Sequence, residues 1–454
     1  MRPFGIRDKF GYLFGDFGND FSFTLVSAYL MVFYTDVFHI SAATVGALFF
    51  GARLWDAFAD IATGRLLDIL KPTKGGKFKP WIFRMSIPLL ISFILMFWKI
   101  PGMSDGFYLA WAFVTYIVWG TFYSTVNIPY GSMASVITND SVERTSLSTW
   151  RTLGATLAGL FINSLAPLIV FVDNKLDANR LFMITVLFAV LAMACYIACV
   201  KLSTERITAE KPSEDKPKIK FSTTLKGLGK NRPLITILAA SLLLMVNNLL
   251  SSTINVYLFK NYFNNAAALS LVGLIQAGTV FLGGFLVSSL VKKFGKKEIA
   301  SAGLLLAGAI YILLYLLPNV SAIQFVWVSA VGAFGFGIFN LTIWAFVTDV
   351  IDYQELLTNN REDGTIYSIY TFSRKIGLAI AGGIGGVALA AVGYDATKPQ
   401  QSQAVLDSIH MVGTLVPGAL YLIIALIILF LYPLNKKRVE QLVKDMAEKK
   451  NKVA

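Results

Sequence analysis

The sequence predicts an all-α polytopic membrane protein of about twelve transmembrane helices. Three observations carry that expectation. The 454 residues are 56% hydrophobic and 15% charged, with a mean hydropathy of +0.63, which does not describe a chain that folds in water. Apolar stretches recur along the whole length, and many reach the roughly 20 residues that a helix needs to cross a bilayer. The basic residues gather in alternate loops instead of being spread evenly.

In chain order, apolar length and helix breakers place helices near 10–36, 41–68, 80–100, 105–138, 145–172 and 180–201. A second set follows near 233–261, 268–291, 298–318, 320–348, 365–393 and 408–434. Between them lies STERITAEKPSEDKPKIKFSTT, rich in Lys, Glu, Pro and Ser and poor in large apolar residues, which reads as a cytoplasmic linker. The expected organisation is an N-terminal six-helix bundle over 1–202, a linker over 203–232, a C-terminal six-helix bundle over 233–434 and a basic cytoplasmic tail over 435–454. The opening MRPFGIRDKFGYLFGDFGND lacks the basic start, short apolar core and cleavage site of a signal peptide, so no cleavage is expected.

Orientation follows from charge. The amino terminus, the 65–84 loop, the linker, the 292–297 loop and the tail hold about thirty basic residues. The alternate loops hold about five: Lys99, Lys175, Arg180, Lys260 and Lys398. Both termini are therefore expected in the cytoplasm, in the inner membrane of a bacterial cell. The net charge of +13 comes from this loop bias, and a nucleic-acid partner is not needed to explain it. Cys195 and Cys199 share one face of an apolar helix, which excludes a disulfide framework, and His39 and His410 belong to no metal motif.

The two halves share a local pattern between their second and third helices. Gly64, Leu66, Gly75 and Lys77 fit it in the first, and Gly284, Leu286, Gly295 and Lys297 in the second. Duplicated six-helix halves are a recurrent transporter design. Twelve helices in two basic-looped halves point to the major facilitator fold.

Ionisable residues at bilayer depth cost roughly 2.5 to 3.5 kcal/mol each on the most lenient scale, so each needs a reason. The first helix carries Asp16, Asn19 and Asp20; the second carries Arg53, Asp56 and Asp60 on one face. Such a stripe must line the bundle interior or an aqueous cavity. Asp56 and Asp60 could ligate a hard cation such as sodium, share a proton, or be neutralised by Arg53 as an internal salt-bridge network. Arg151 on the fifth helix and Lys375 on the eleventh need anionic partners, for which Asp20, Asp56 and Asp60 are the available counter-ions. Arg374 is expected to pair with Asp349, Asp352 or Glu355, acids spaced along DVIDYQE that read as a cytoplasmic gate. In the fourth helix, YSTVNIPYGS places Ser124 and Asn127 beside the helix-breaking Pro129, which suits a sugar cavity.

The segments YLMVFYTDVF, ARLWDAFAD, GGKFKPW, TYIVWG, VNIPYGSM, ITND, WRTLG and DVIDYQE resemble, in order, the glycoside-pentoside-hexuronide cation symporters of the major facilitator superfamily. The resemblance runs from the first helix to the eleventh. It implies a cation site at Asp56 and Asp60 completed by Ser124 and Asn127, and sugar contacts from Asp20, Tyr123, Asn127 and Arg151. Lys375 falls on the family's eleventh-helix lysine, near both sites. The chain also departs from the melibiose-permease type: Asn127 stands for Asp, Gly131 for an aromatic, Asn19 for Lys and Ile61 for Pro. NIPYG is closer to the xyloside and glucuronide members.

The function expected is symport of a glycoside with Na+ or H+ by alternating access, with no cofactor and no obligate protein partner beyond the lipid bilayer. An exporter of non-sugar solutes is the first alternative. A membrane-embedded enzyme would need a nucleophile, acid and base together, and the sequence offers no such set.

Overall fold

A computed structural model of the protein describes residues 2–69, 73, 75–138, 140–206, 231–358, 363–398 and 400–453. The first half of the chain forms α1 (Ile6–Asp36), α2 (Ala42–Ile69), α3 (Lys79–Met96), α4 (Asp105–Ile137), α5 (Ser141–Val170) and α6 (Ala178–Leu202). The second forms α7 (Arg232–Tyr257), α8 (Leu269–Phe294), α9 (Lys296–Leu316), α10 (Ala322–Thr358), α11 (Asp363–Ala391) and α12 (Gln403–Leu426). These match the expected helices to within about five residues at most ends, but α10 runs ten residues past the expected end at 348 and so takes in DVIDYQE. π-helical turns extend α7 over Leu258–Tyr262 and α12 over Ile427–Leu431.

Among the described residues, nine helices are long and apolar enough to cross a membrane on those criteria alone. The other three of the twelve are α1, α2 and α8. In α1 and α2 the reason is chemical: Asp16, Asn19 and Asp20, and Arg53, Asp56 and Asp60, dilute the apolar content. Two of the three helices that fall short carry part of the candidate site.

Two local elements escaped the sequence reading. Phe171–Val172 and Lys175–Leu176 pair antiparallel as β1 and β2, with Phe171 opposite Leu176. Asp173 and Asn174 make the two-residue turn at φ of 47° and 60°, a conformation that Asp and Asn tolerate better than most residues. The basic tail forms α13 (Lys436–Val453), whose Val439 and Leu442, one turn apart, pack against the second-half core.

The chain divides into two compact units. The first comprises Met1–Glu214, Asn255–Leu274 and Gly385–Val405, and the second Asp215–Ile254, Ile275–Ile384 and Leu406–Ala454. In the first unit α1 packs on α5 and α6, α3 on α4 and α6, and α2 on α4. Small residues allow the closest approaches: a Cβ added at Gly154 would lie 2.4 Å from the Leu13 carbonyl, and one at Gly15 2.2 Å from the Tyr130 ring.

At the loop end of this unit, Asp8 is fully buried and saturated. It accepts from Arg206 Nη2 at 2.7 Å, Arg2 Nη2 at 3.4 Å and the amides of Thr204 and Gly5 at 3.0 and 3.2 Å. Next to it, Glu205 accepts from the amides of Lys77, Phe78 and Lys79 at 2.6, 3.0 and 2.7 Å, an anion seated on the amino end of α3. Gly76, at φ 109°, passes so close to this carboxylate that a Cβ would lie 2.6 Å from it. Lys79 Nζ donates to the carbonyl of Ser203, the residue that ends α6, at 2.8 Å.

At the other end of the unit, Asp36 closes α1 with an ion pair to Lys260 and a 3.0 Å bond from the Tyr394 hydroxyl. Thr35 and Tyr257 share a hydrogen bond of 3.0 Å, and Asn174 Nδ2 donates to the Asn264 carbonyl at 2.7 Å. The second unit has its own apolar core, formed by α7, α9, α10 and α12 around Phe339, Phe346 and Tyr432. There Lys297 Nζ donates to the carbonyl of Tyr432, which ends the helix after α12, at 2.6 Å. This repeats the Lys79 arrangement of the first half.

Candidate functional site

The candidate site is built on four helices of the first unit. On α4, Gly120, Tyr123, Ser124 and Asn127 are spaced by three, four and seven residues and so share one face. That face meets α2: a Cβ at Gly120 would lie 2.3 Å from Asp56 Oδ1, so the bare glycine is what admits the carboxylate. Arg53 Nη1 donates to Asp56 Oδ2 at 3.3 Å, and its guanidinium lies 5.7 Å from the Phe23 ring of α1. Phe23 stacks on Tyr123 at 5.6 Å, and Tyr123 leans on Trp119 at 5.4 Å. Trp55 of α2 donates to Thr121 of α4 at 2.9 Å, a further tie between the two helices. Ser124 is buried one turn beyond Gly120, and Asp60 is half-buried one turn beyond Asp56.

A second group centres on Arg151. The expected counter-ions were Asp20, Asp56 and Asp60; the structure instead pairs Arg151 Nε with Asp16 Oδ1 at 3.1 Å. The cause is the approach of α5 to α1 at Gly154 against Leu13, which leaves Arg151 within one side chain's reach of Asp16, while Asp20 lies a turn further along. The guanidinium stands 5.2 Å from the Tyr130 ring centre. Tyr130 is held in turn by stacking on Tyr12 at 4.7 Å and by donating its hydroxyl to the Tyr12 carbonyl. Asn19 is fully buried and accepts from Tyr196 of α6 at 2.7 Å, which makes it part of the packing.

The two groups meet at Tyr123, which lies within electrostatic reach of Asp20, Asp16, Arg151 and Arg53. Several polar groups here have no hydrogen-bond partner among the described residues. From the described residues no hydrogen bond or ion pair reaches Asp20, Asn127 or the Tyr123 hydroxyl. Arg151 uses only Nε, leaving its terminal nitrogens unbonded. Partly buried polar groups of this kind are placed to bond a polar ligand.

The remaining candidates lie in the second unit. Lys375 is exposed on α11, and Arg374 stands 6.0 Å from the Tyr370 ring. Asp349 bonds Lys296 Nζ at 2.6 Å, a partner the sequence reading had not weighed, because Lys296 opens α9, far from Asp349 in sequence. Asp352 and Glu355 follow on α10, both half-buried. Among the described residues, no group of three or more His, Cys, Asp or Glu could hold a metal ion.

Sequence reasoning named Asp16 without giving it a role, and missed Tyr130, Phe23 and Gly120. Of these, only Asp16 carried a signal, a charge inside an apolar helix.

Long apolar helices that carry partly buried ionisable groups suit a multi-pass membrane transporter, and comparison with known proteins places the chain in that class. The fold is that of the major facilitators: a bacterial homologue of the human lysosomal transporter Spinster superposes with a TM-score of 0.68 over 96% of this chain and 97% of that one, at 14% identity. The chain belongs to the MFS/sugar transport protein family, which matches residues 11–436. It is 34% identical to the uncharacterized symporter YjmB of Bacillus subtilis, over 98% of this chain and 96% of that protein. It is 31% identical to the glucuronide carrier protein homolog of Escherichia coli, over 98% and 96%. With the isoprimeverose transporter of Lactiplantibacillus pentosus it shares 33% identity over 94% and 89%.

Proposed function

We propose that the chain symports a glycoside, such as a xyloside or a glucuronide, with Na+ or H+. In this reading Asp20, Tyr123, Asn127, Arg151 and Lys375 contact the sugar, and Asp56, Asp60, Ser124 and Asn127 form the cation site. Arg53 balances the carboxylates, and Arg374, Asp349, Asp352 and Glu355 act at the cytoplasmic gate. The halves 1–202 and 233–434, joined by the 203–232 linker, rock about the site in the bacterial inner membrane, with both termini and the 435–454 tail cytoplasmic.

One observation carries this reading. The donors and acceptors of α1, α4 and α5 that have no partner among the described residues suit a polyhydroxylated ligand, and those on α4 begin one turn after Gly120, which meets the Asp56 carboxylate of α2. Names of relatives support it: one is called an uncharacterized symporter, one a glucuronide carrier protein homolog and one an isoprimeverose transporter.

Energised membrane vesicles test it. Labelled methyl β-D-xyloside and methyl β-D-glucuronide should be concentrated when a Na+ or H+ gradient is imposed, and accumulation should stop when an ionophore collapses that gradient. Uptake that never exceeds equilibrium under either gradient would reject symport.

A further inference from the structure

We infer that the terminal nitrogens of Arg151 form a receptor for a sugar carboxylate, with Asp16 as its positioning residue and Gly131 as the residue that leaves room for the anion. This rests on the sugar-transport reading above and narrows it: the substrate is a glycoside carrying an acidic group.

The argument starts from the five N–H donors of a guanidinium, arranged in a planar fork that matches two carboxylate oxygens at once. Asp16 occupies only the Nε edge, at 3.1 Å. Nη1 and Nη2 donate no bond to the described residues, and more than a third of the side chain, 37%, is exposed. The fork is also held still. Tyr130 supports one face of the guanidinium, and that ring cannot shift, since it stacks on Tyr12, bonds the Tyr12 carbonyl and is crowded by Gly15. A donor pair fixed before binding loses little entropy when it binds.

Gly131 sets access to the fork. A Cβ there would lie 3.6 Å from Nη1, in ordinary contact, so a longer side chain on that bond would extend over the nitrogen. Glycine leaves that edge open. Asp20, one turn from Asp16 on α1 and without a hydrogen bond or ion pair among the described residues, is an acceptor suited to ring hydroxyls and repels a second carboxylate. The ligand is therefore oriented: its acidic end towards Arg151, its hydroxyls towards Asp20.

A xyloside and a glucuronide decide the matter, because they share the same ring and differ by the carboxylate on C5. Calorimetry on the purified full-length protein with methyl β-D-glucuronide and methyl β-D-xyloside should show the glucuronide bound about 10- to 100-fold more tightly. Arg151→Lys, which keeps the charge and loses the fork, should cut that ratio about 10-fold. Gly131→Phe should cut it more than Gly131→Ala. Asp16→Ala should lower the ratio even though it removes a negative charge from beside the anion, and Asp16→Asn, which keeps an acceptor for Nε, should lower it less. Monodisperse elution in size-exclusion chromatography reports that each variant is still folded, and xyloside affinity serves as the denominator of the ratio.

A parent protein that binds xyloside at least as tightly as glucuronide overturns the inference while leaving sugar symport intact. A ratio that rises in Asp16→Ala shows a charge competitor and overturns the positioning role. Binding of neither sugar, with no gradient-driven uptake of either, overturns this inference together with the transport reading beneath it.

Discussion

Asp8 and Asp20 stand on the same helix, and their surroundings differ in kind. Asp8 is fully buried and accepts from two arginines and two backbone amides. Asp20 receives no hydrogen bond or ion pair from the described residues. The saturated carboxylate ties together the amino terminus, α1 and the segment after α6, and has no capacity left for a ligand. The unsaturated one, beside the half-used Arg151, stays incomplete until something polar arrives. A charge inside this protein is informative about function in proportion to the partners it lacks.

The comparison is sharpest at the carboxylates of α2. Asp56→Asn and Asp60→Asn should each abolish accumulation of sugar against a gradient, since an amide neither balances a cation nor carries a proton, while downhill exchange survives. Vesicle uptake measures both; full accumulation in either variant removes that residue from the cation site. Next comes Asp8→Ala, which leaves Arg206 and Arg2 without their anion and should cost about 3 to 5 kcal/mol of folding free energy. Folded yield by size-exclusion chromatography should collapse for Asp8→Ala and hold for Asp20→Ala, which should instead lose most of its sugar affinity. The reverse pattern would break the distinction drawn here.

Arg53 lies between these extremes, ion-paired to Asp56 and with its guanidinium against the Phe23 ring. Arg53→Ala should lower yield more than Arg53→Lys, and equal yields would show that the α2 carboxylates need no internal cation. The smallest effect is expected at Gly120. A methyl group in Gly120→Ala would meet Asp56 Oδ1 at 2.3 Å and push the carboxylate aside without altering any charge. Binding of the coupling ion should weaken about 10-fold, roughly 1.4 kcal/mol, with yield preserved.

Much of this was legible in the sequence, for physical reasons that also mark where it stopped. Twelve helices could be placed because bilayer thickness fixes apolar length, and Asp56, Asp60, Arg53 and Arg151 stood out because lipid makes charge costly. The pairing of Arg151 with Asp16 was not legible, since it depends on how closely Gly154 lets α5 approach α1. The same limit hid the meeting of Asp36, Lys260 and Tyr394, each at the end of a different helix with nothing local to announce the others. α13 was missed because a run of lysines reads as solvated tail, and only Val439 and Leu442 betray the face that packs.

The two lysine closures, Lys79 on the Ser203 carbonyl and Lys297 on the Tyr432 carbonyl, bear on how the chain can be divided. Each joins the third helix of a half to the end of its sixth, so each half is fastened at its loop end by its own residues. Asp36, Lys260 and Tyr394 then hold together segments from both halves without any help from the covalent link. A gene cut within codons 207–230 should therefore yield two polypeptides that find each other in the membrane when co-expressed, and copurify through a tag on one of them. Lys260→Ala should weaken that reassembly while leaving the uncut protein in place, so the peptide connection between the halves serves biosynthesis more than cohesion.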